Sequence, residues 1–126
     1  VGTTVHICGT THQIHEDLVD VGFVAITIDL DQQADPALKV DQLDRLITLG
    51  NQRGVVAIGN VDVTIFERAT RAEIEAEVKR CVDTAGRRSR FVLSTSCELP
   101  PRANPDCVQW FMDAAREYGR YDRILA

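Results

Sequence analysis

His6, Cys8 and Cys97 are the residues of this chain whose types and placing could do chemistry. His6 and Cys8 sit in the run Val5-His6-Ile7-Cys8-Gly9, where an apolar stretch meets a glycine. A strand turns every second side chain to the same face, so the imidazole and the thiol point the same way. Cys97 closes a second run, Phe91-Val92-Leu93-Ser94-Thr95-Ser96-Cys97-Glu98, just before a pair of prolines. One imidazole and two thiolates make a three-ligand zinc site with one position open, and open sites are the catalytic ones. A cysteine at a strand end is also often no more than a small buried hydrophobe. On the residues alone, both readings of the three stand.

Elements that could position them follow from the apolar pattern. Strand-like runs cover residues 4–8, 23–28, 55–58 and 91–94. They are short, β-branched and nearly continuous in apolar character, the pattern of parallel strands buried on both faces. Helices fill the gaps. The first covers residues 11–21, with Ile14, Leu18 and Val21 inward and Gly22 as its stop. A second opens at Asp35-Pro36, turns Val40, Leu43 and Ile47 to one side and ends at Gly50. Thr70 and Glu73 form a capping box for a third, which buries Ile74, Val78 and Val82 and stops at Gly86. Asn104-Pro105 opens a fourth, with Val108, Phe111, Met112 and Ala115 as its apolar stripe and Gly119 at its end.

Repeated βα units predict an α/β fold, either an open doubly wound sheet or half of a (β/α)8 barrel. Both place chemistry at the carboxyl ends of the strands, where His6, Cys8, Asp29, Asn60, Asp62 and Cys97 all fall. No G-x-G-x-x-G follows a strand, which counts against a dinucleotide fold. Asp29 could be a metal ligand, an acceptor for a ligand's hydrogen bond or a strand-end cap. Asn60 and Asp62 either shape a substrate pocket or brace their own loop. Cys81 and Cys107 read as buried bystanders, His12 and His15 as solvent-exposed, Trp110 as packing, and Arg87-Arg88-Ser89-Arg90 as a solvated turn.

At 126 residues the chain is one domain, large enough for a core. A net charge of -5 gives no nucleic-acid footprint. No apolar run approaches the roughly 18–20 residues of a membrane span, and no signal peptide is visible. Four cysteines are few for a secreted scaffold of this length, so a reducing, cytoplasmic setting is expected. The chain opens on Val1 inside a strand and reads as a piece of a longer polypeptide.

Four runs occur in order: His6-Ile7-Cys8-Gly9-Thr10, Ala25-Ile26-Thr27-Ile28-Asp29, Gly59-Asn60-Val61-Asp62 and Leu93-Ser94-Thr95-Ser96-Cys97-Glu98-Leu99-Pro100. Together they resemble the C-terminal half of the uroporphyrinogen decarboxylase superfamily, over essentially the whole chain. The His-x-Cys pair with a late cysteine resembles one branch, the zinc-dependent methylcobalamin:thiol methyltransferases, which include the coenzyme M methyltransferases. The resemblance implies the C-terminal half of a (β/α)8 TIM barrel spanning residues 1–126. It also implies Zn2+ on His6, Cys8 and Cys97, with Asp29, Asn60 and Asp62 in the site. The implied reaction is attack of a zinc-activated thiolate on the methyl group of a methylcorrinoid. The implied partners are a small thiol, methylcobalamin or a corrinoid protein, and the N-terminal half of the barrel or a second copy of the chain. The alternatives are a decarboxylase acting on a tetrapyrrole and a non-catalytic half-barrel. The decarboxylases need no metal and carry a histidine in the loop where this chain has Cys97, so the sequence departs from them at the chemistry-bearing position.

Overall fold

The computed structural model describes residues 1–30, 36–86 and 90–124. Strand β1 (Thr4–Ile7) is followed by a 3-10 turn (His12–Ile14) and α1 (His15–Asp20). Then come β2 (Ala25–Ile28), α2 (Pro36–Arg53), β3 (Val56–Val61), a second 3-10 turn (Val63–Glu67) and α3 (Arg71–Ala85). The chain finishes with β4 (Phe91–Thr95), α4 (Pro105–Tyr118) and a short α5 (Tyr121–Ile124). The strands form one parallel sheet in the order β1-β2-β3-β4. A doubly wound sheet would reverse its strand order at a switch point. This sequential order, with helices packed on the face that carries Ile26 and Ala57, leaves a segment of a barrel wall.

Register explains the two faces. One row runs Val5, Ile26, Ala57 and Phe91 across the sheet. Ile26 and Ala57 are sealed under the helices with Ile28, Leu43, Leu46, Ile47, Ile74 and Val78. The next row is His6, Thr27, Ile58 and Val92. It lies on the open face, where Val92 is 49% exposed. The expected burial of the strands on both faces therefore holds on one face only. The other is the concave side of the wall, and nothing among the described residues covers it.

Most helix boundaries follow their local signals. The Thr70–Glu73 capping box forms with both of its hydrogen bonds, and Asn104 caps α4 ahead of Pro105. Two readings are corrected. α2 does not stop at Gly50 but continues to Arg53. A Cβ at Gly50 would lie 2.6 Å from the Val55 carbonyl oxygen, so glycine is there to let the returning chain pass. The turn out of the helix is made at Gly54, whose φ of 78° favours glycine. Within α4, Met112 is 41% exposed, and the buried residues are Cys107 and Ala114. Asp35, the side chain of Val40 and residues 87–89 lie outside what is described.

The first helix is the third correction. Ile14 and Val21 are 42% and 68% exposed, while His15, Leu18 and Val19 are buried. The opening turn is 3-10, with three residues per turn, and this rotates the inward face by one position. His15 is consequently sealed from solvent, with Nε2 3.1 Å from Thr11 Oγ1. Burial pushes its pKa down to about 4, with the nearby Arg45 and His12 adding to the effect. The unfolded chain takes up that proton near pH 6.5. Between these values the unfolded state holds more protons, so stability falls as the pH drops from about 6.5 to about 4. This one group accounts for a loss of about 3 kcal/mol. Urea unfolding at pH 7, 5 and 4 is expected to show a shallower decline in His15→Gln than in the wild type. Parallel declines would contradict this.

Candidate metal and thiol site

The site is built by the alternation of β1. Val5 and Ile7 pack toward the helices, which turns His6 and Cys8 to the open face. Gly9 then bends the chain at φ 79°, and its amide donates to Asp29 Oδ2 at 3.0 Å. Asp29 Oδ1 accepts from the Leu30 amide at 2.7 Å. Asp29 is buried at the end of β2, the strand beside β1, and ties the loop carrying Cys8 to its neighbour. Cys97 is held as firmly. The Ser96 amide donates to the Val61 carbonyl at 2.7 Å, and Thr95 Oγ1 donates to the Cys97 carbonyl at 2.8 Å.

These anchors bring three ligand atoms into one triangle. His6 Nε2 lies 3.2 Å from Cys8 Sγ and 3.5 Å from Cys97 Sγ, and the two sulfurs are 3.6 Å apart. Zn–S bonds of about 2.3 Å and a Zn–N bond of about 2.0–2.1 Å at tetrahedral angles require S···S of about 3.8 Å and S···N of about 3.6 Å. The triangle therefore fits zinc with little movement, and Cys8 is exposed on its outer side. The hydrogen bond with Cys97 raises the Cys8 pKa above the ordinary thiol value, and the negative charges of Asp29 and Glu98 push the same way. Two thiols this close do not ionise together without a cation, and a divalent ion removes that obstacle. Beside the triangle lies a cavity of about 310 Å3 lined by His6, Thr27, Ser94, Thr95, Cys97 and Glu98.

Asn60 and Asp62 stand apart from this triangle. Asn60 is fully buried, and the Gly59–Asn60 peptide is cis. Its Oδ1 accepts from both terminal nitrogens of Arg80 at 3.2 Å, and its carbonyl accepts from Arg80 Nη2 at 2.9 Å. Arg80 also donates to Glu77, which accepts the Asp62 amide at 3.3 Å. Asp62 caps the turn after β3 by accepting from the amide and hydroxyl of Thr64. The geometry thus gives both residues bracing contacts toward α3, and neither lines the cavity. Arg80 and Glu77 were not singled out from the sequence. Their signal was two charges three residues apart beside the buried stripe Ile74, Val78 and Cys81. Thr27, Ser94, Thr95 and Glu98 were missed as lining residues, although Thr27 is the one polar residue inside the run 25–28.

Removing the Asp29 carboxylate leaves two backbone amides without their charged acceptor. Asp29→Ala is expected to lower stability by about 2–3 kcal/mol in urea unfolding. A change below about 0.5 kcal/mol would show that the loop is held by other contacts.

Among the described residues no helix is long and apolar enough to cross a membrane. No curated protein matches the sequence. Among solved structures, a methyltransferase from Methanosarcina mazei superposes with a TM-score of 0.74 at 21% identity. The match covers 94% of this chain and 32% of the other, so this chain spans about a third of that relative's length. At that identity the likeness establishes the fold. The family model for uroporphyrinogen decarboxylase (URO-D) matches residues 1–118, nearly the whole chain, and the protein therefore belongs to that family.

Proposed function

We propose that the protein is a zinc-dependent methyltransferase that moves a methyl group from a methylcorrinoid to a small thiol. The observation that carries this reading is the triangle of His6 Nε2, Cys8 Sγ and Cys97 Sγ, whose edges match three corners of a zinc tetrahedron. The name of the structural relative, a methyltransferase, agrees with it. A zinc ion held there supplies charge that keeps a thiol ionised at neutral pH, and the thiolate is the nucleophilic form.

The chain's own residues do the rest. His6, Cys8 and Cys97 would hold the metal, and Cys8 is exposed. Asp29 fixes the Cys8 loop through the Gly9 amide, and Ser96 and Thr95 fix the Cys97 loop. Arg80, Glu77, Asn60 and Asp62 hold the end of β3 between them. The cavity receives the acceptor thiol. In the net reaction the thiol would release its proton to solvent and its sulfur would take the methyl group, the electron pair of the broken bond remaining with the corrinoid. Metal-free decarboxylation is the weaker reading. It leaves the two thiols of the triangle without a task.

We also propose that further βα units, from the same polypeptide, complete the barrel against β1, β4 and the open row His6, Thr27, Ile58 and Val92. Unpaired strand edges are templates for association. Expressed alone, the 126-residue chain is therefore expected to self-associate in light scattering, and a clean monomer would contradict this.

Elemental analysis should find about one zinc per chain in the wild type and a clear loss in Cys97→Ser, where equal zinc would remove Cys97 from the site. Thiol-dependent demethylation of methylcobalamin, followed by its absorbance, should fall by more than about 100-fold in Cys8→Ser. Undiminished turnover in that variant would contradict the mechanism.

A further inference from the structure

We propose that Cys8 and Cys97 form a reversible dithiol–disulfide pair, and that a peroxide, by joining them, discharges the metal centre. This rests on the reading of the triangle as a metal site and adds a covalent state that excludes the metal-bound one. The two sulfurs lie 3.6 Å apart, on residues 89 positions apart in the chain. A disulfide needs an S–S distance of about 2.05 Å, so each sulfur has to move by only about 0.8 Å. The other two cysteines are sealed in the core, Cys81 against Asn60 Oδ1 and Cys107 against the Ala69 carbonyl.

Hydrogen bonds to backbone hold the pair at that spacing. The Gly9 amide on Asp29 Oδ2 fixes the loop carrying Cys8. The Ser96 amide on the Val61 carbonyl and Thr95 Oγ1 on the Cys97 carbonyl fix the other. One thiol attacks a peroxide oxygen, the O–O bond breaks, water leaves and a sulfenic acid remains. The neighbouring thiol displaces its hydroxyl as a second water, and the S–S bond forms. Two electrons pass from the two sulfurs to the peroxide, and the two thiol protons end in the waters. A neighbour 3.6 Å away captures the sulfenic acid before a second peroxide takes it to the irreversible sulfinic acid. A disulfide offers no thiolate, so of the three ligands only His6 is left and the ion is released. Exchange with a dithiol returns both thiols and lets the metal rebind. The bond also ties the loop after β1 to the loop after β4, closing a long loop of chain and so stabilising the folded wall.

The test treats the zinc-loaded protein with hydrogen peroxide in small excess. Zinc release is followed with a chromogenic chelator, and disulfides are mapped by mass spectrometry of the digested chain. The expected product is a peptide pair joining Cys8 to Cys97, lighter by two hydrogens, with about one zinc released per disulfide formed. Dithiothreitol followed by zinc should restore the full metal content. The oxidised protein should unfold in urea at a higher midpoint than the reduced, metal-free protein. In Cys8→Ser and Cys97→Ser the same treatment should instead add oxygen to the remaining sulfur. Sulfinic acid as the main product in the wild type, or a bond between two chains, overturns the pairing. Zinc retained by the disulfide form overturns the discharge. A protein that takes up no zinc beforehand yet gives the same disulfide removes the metal centre, and with it the discharge, while the dithiol pair stands.

Discussion

The meeting of His6 with Cys97 is the constraint on which the rest of the structure depends. The two residues are 91 positions apart, His6 on one outermost strand and Cys97 just beyond the end of the other. In a flat sheet three inter-strand spacings would hold those strands about 14 Å apart. Side chains 3.5 Å apart demand that the sheet curl until its first and last strand ends converge. The curl comes from the right-handed twist of the strands and from helices stacked on one face only, which bend the wall around its concave side. A doubly wound sheet with the same elements would leave the imidazole and the second thiol without each other.

Convergence alone does not hold three ligand atoms in place, because all three sit on loops just beyond strand ends or on the last residues of a strand. The supporting contacts are hydrogen bonds to backbone, and they run between neighbouring strands. Asp29 joins the end of β2 to the loop after β1, and Ser96 joins the loop after β4 to the end of β3. Arg80 reaches from α3 to the carbonyl and side chain of Asn60, with Glu77 supplying its counter-charge. Arg80 is 15% exposed and Glu77 19%, so this pair is largely desolvated. Breaking it by removing one partner would leave the other charge without its partner, the costly case for a buried ion pair. The β3 end is therefore stiff, although it contributes nothing to the cavity lining.

Much of this was legible from residue pattern. The period of two in Val5-His6-Ile7-Cys8 placed imidazole and thiol on one face, and the helix starts at Thr70 and Asn104 were spelled by their caps. The misses have physical causes. Gly50 looked like a helix stop because glycine disfavours helix interiors, but close approach of the Val55 carbonyl outweighed that preference. His15 looked exposed because a helical period of 3.6 was assumed from the first residue, whereas a 3-10 turn shifted the inward face. The bracing contacts of Asn60 depend on Arg80, 20 residues away, and no local pattern encodes that partner. Both halves of the triangle were readable, but their separation of a few ångströms is a property of sheet curvature.

The central claim is that His6, Cys8 and Cys97 hold one metal ion and leave a position for a thiol. Zinc K-edge X-ray absorption on the loaded protein tests this most directly. The account predicts two sulfur neighbours at about 2.3 Å and one nitrogen at about 2.0–2.1 Å, with a third sulfur appearing when a small thiol is added. A shell of oxygen and nitrogen only, or a sulfur count that ignores added thiol, would contradict it.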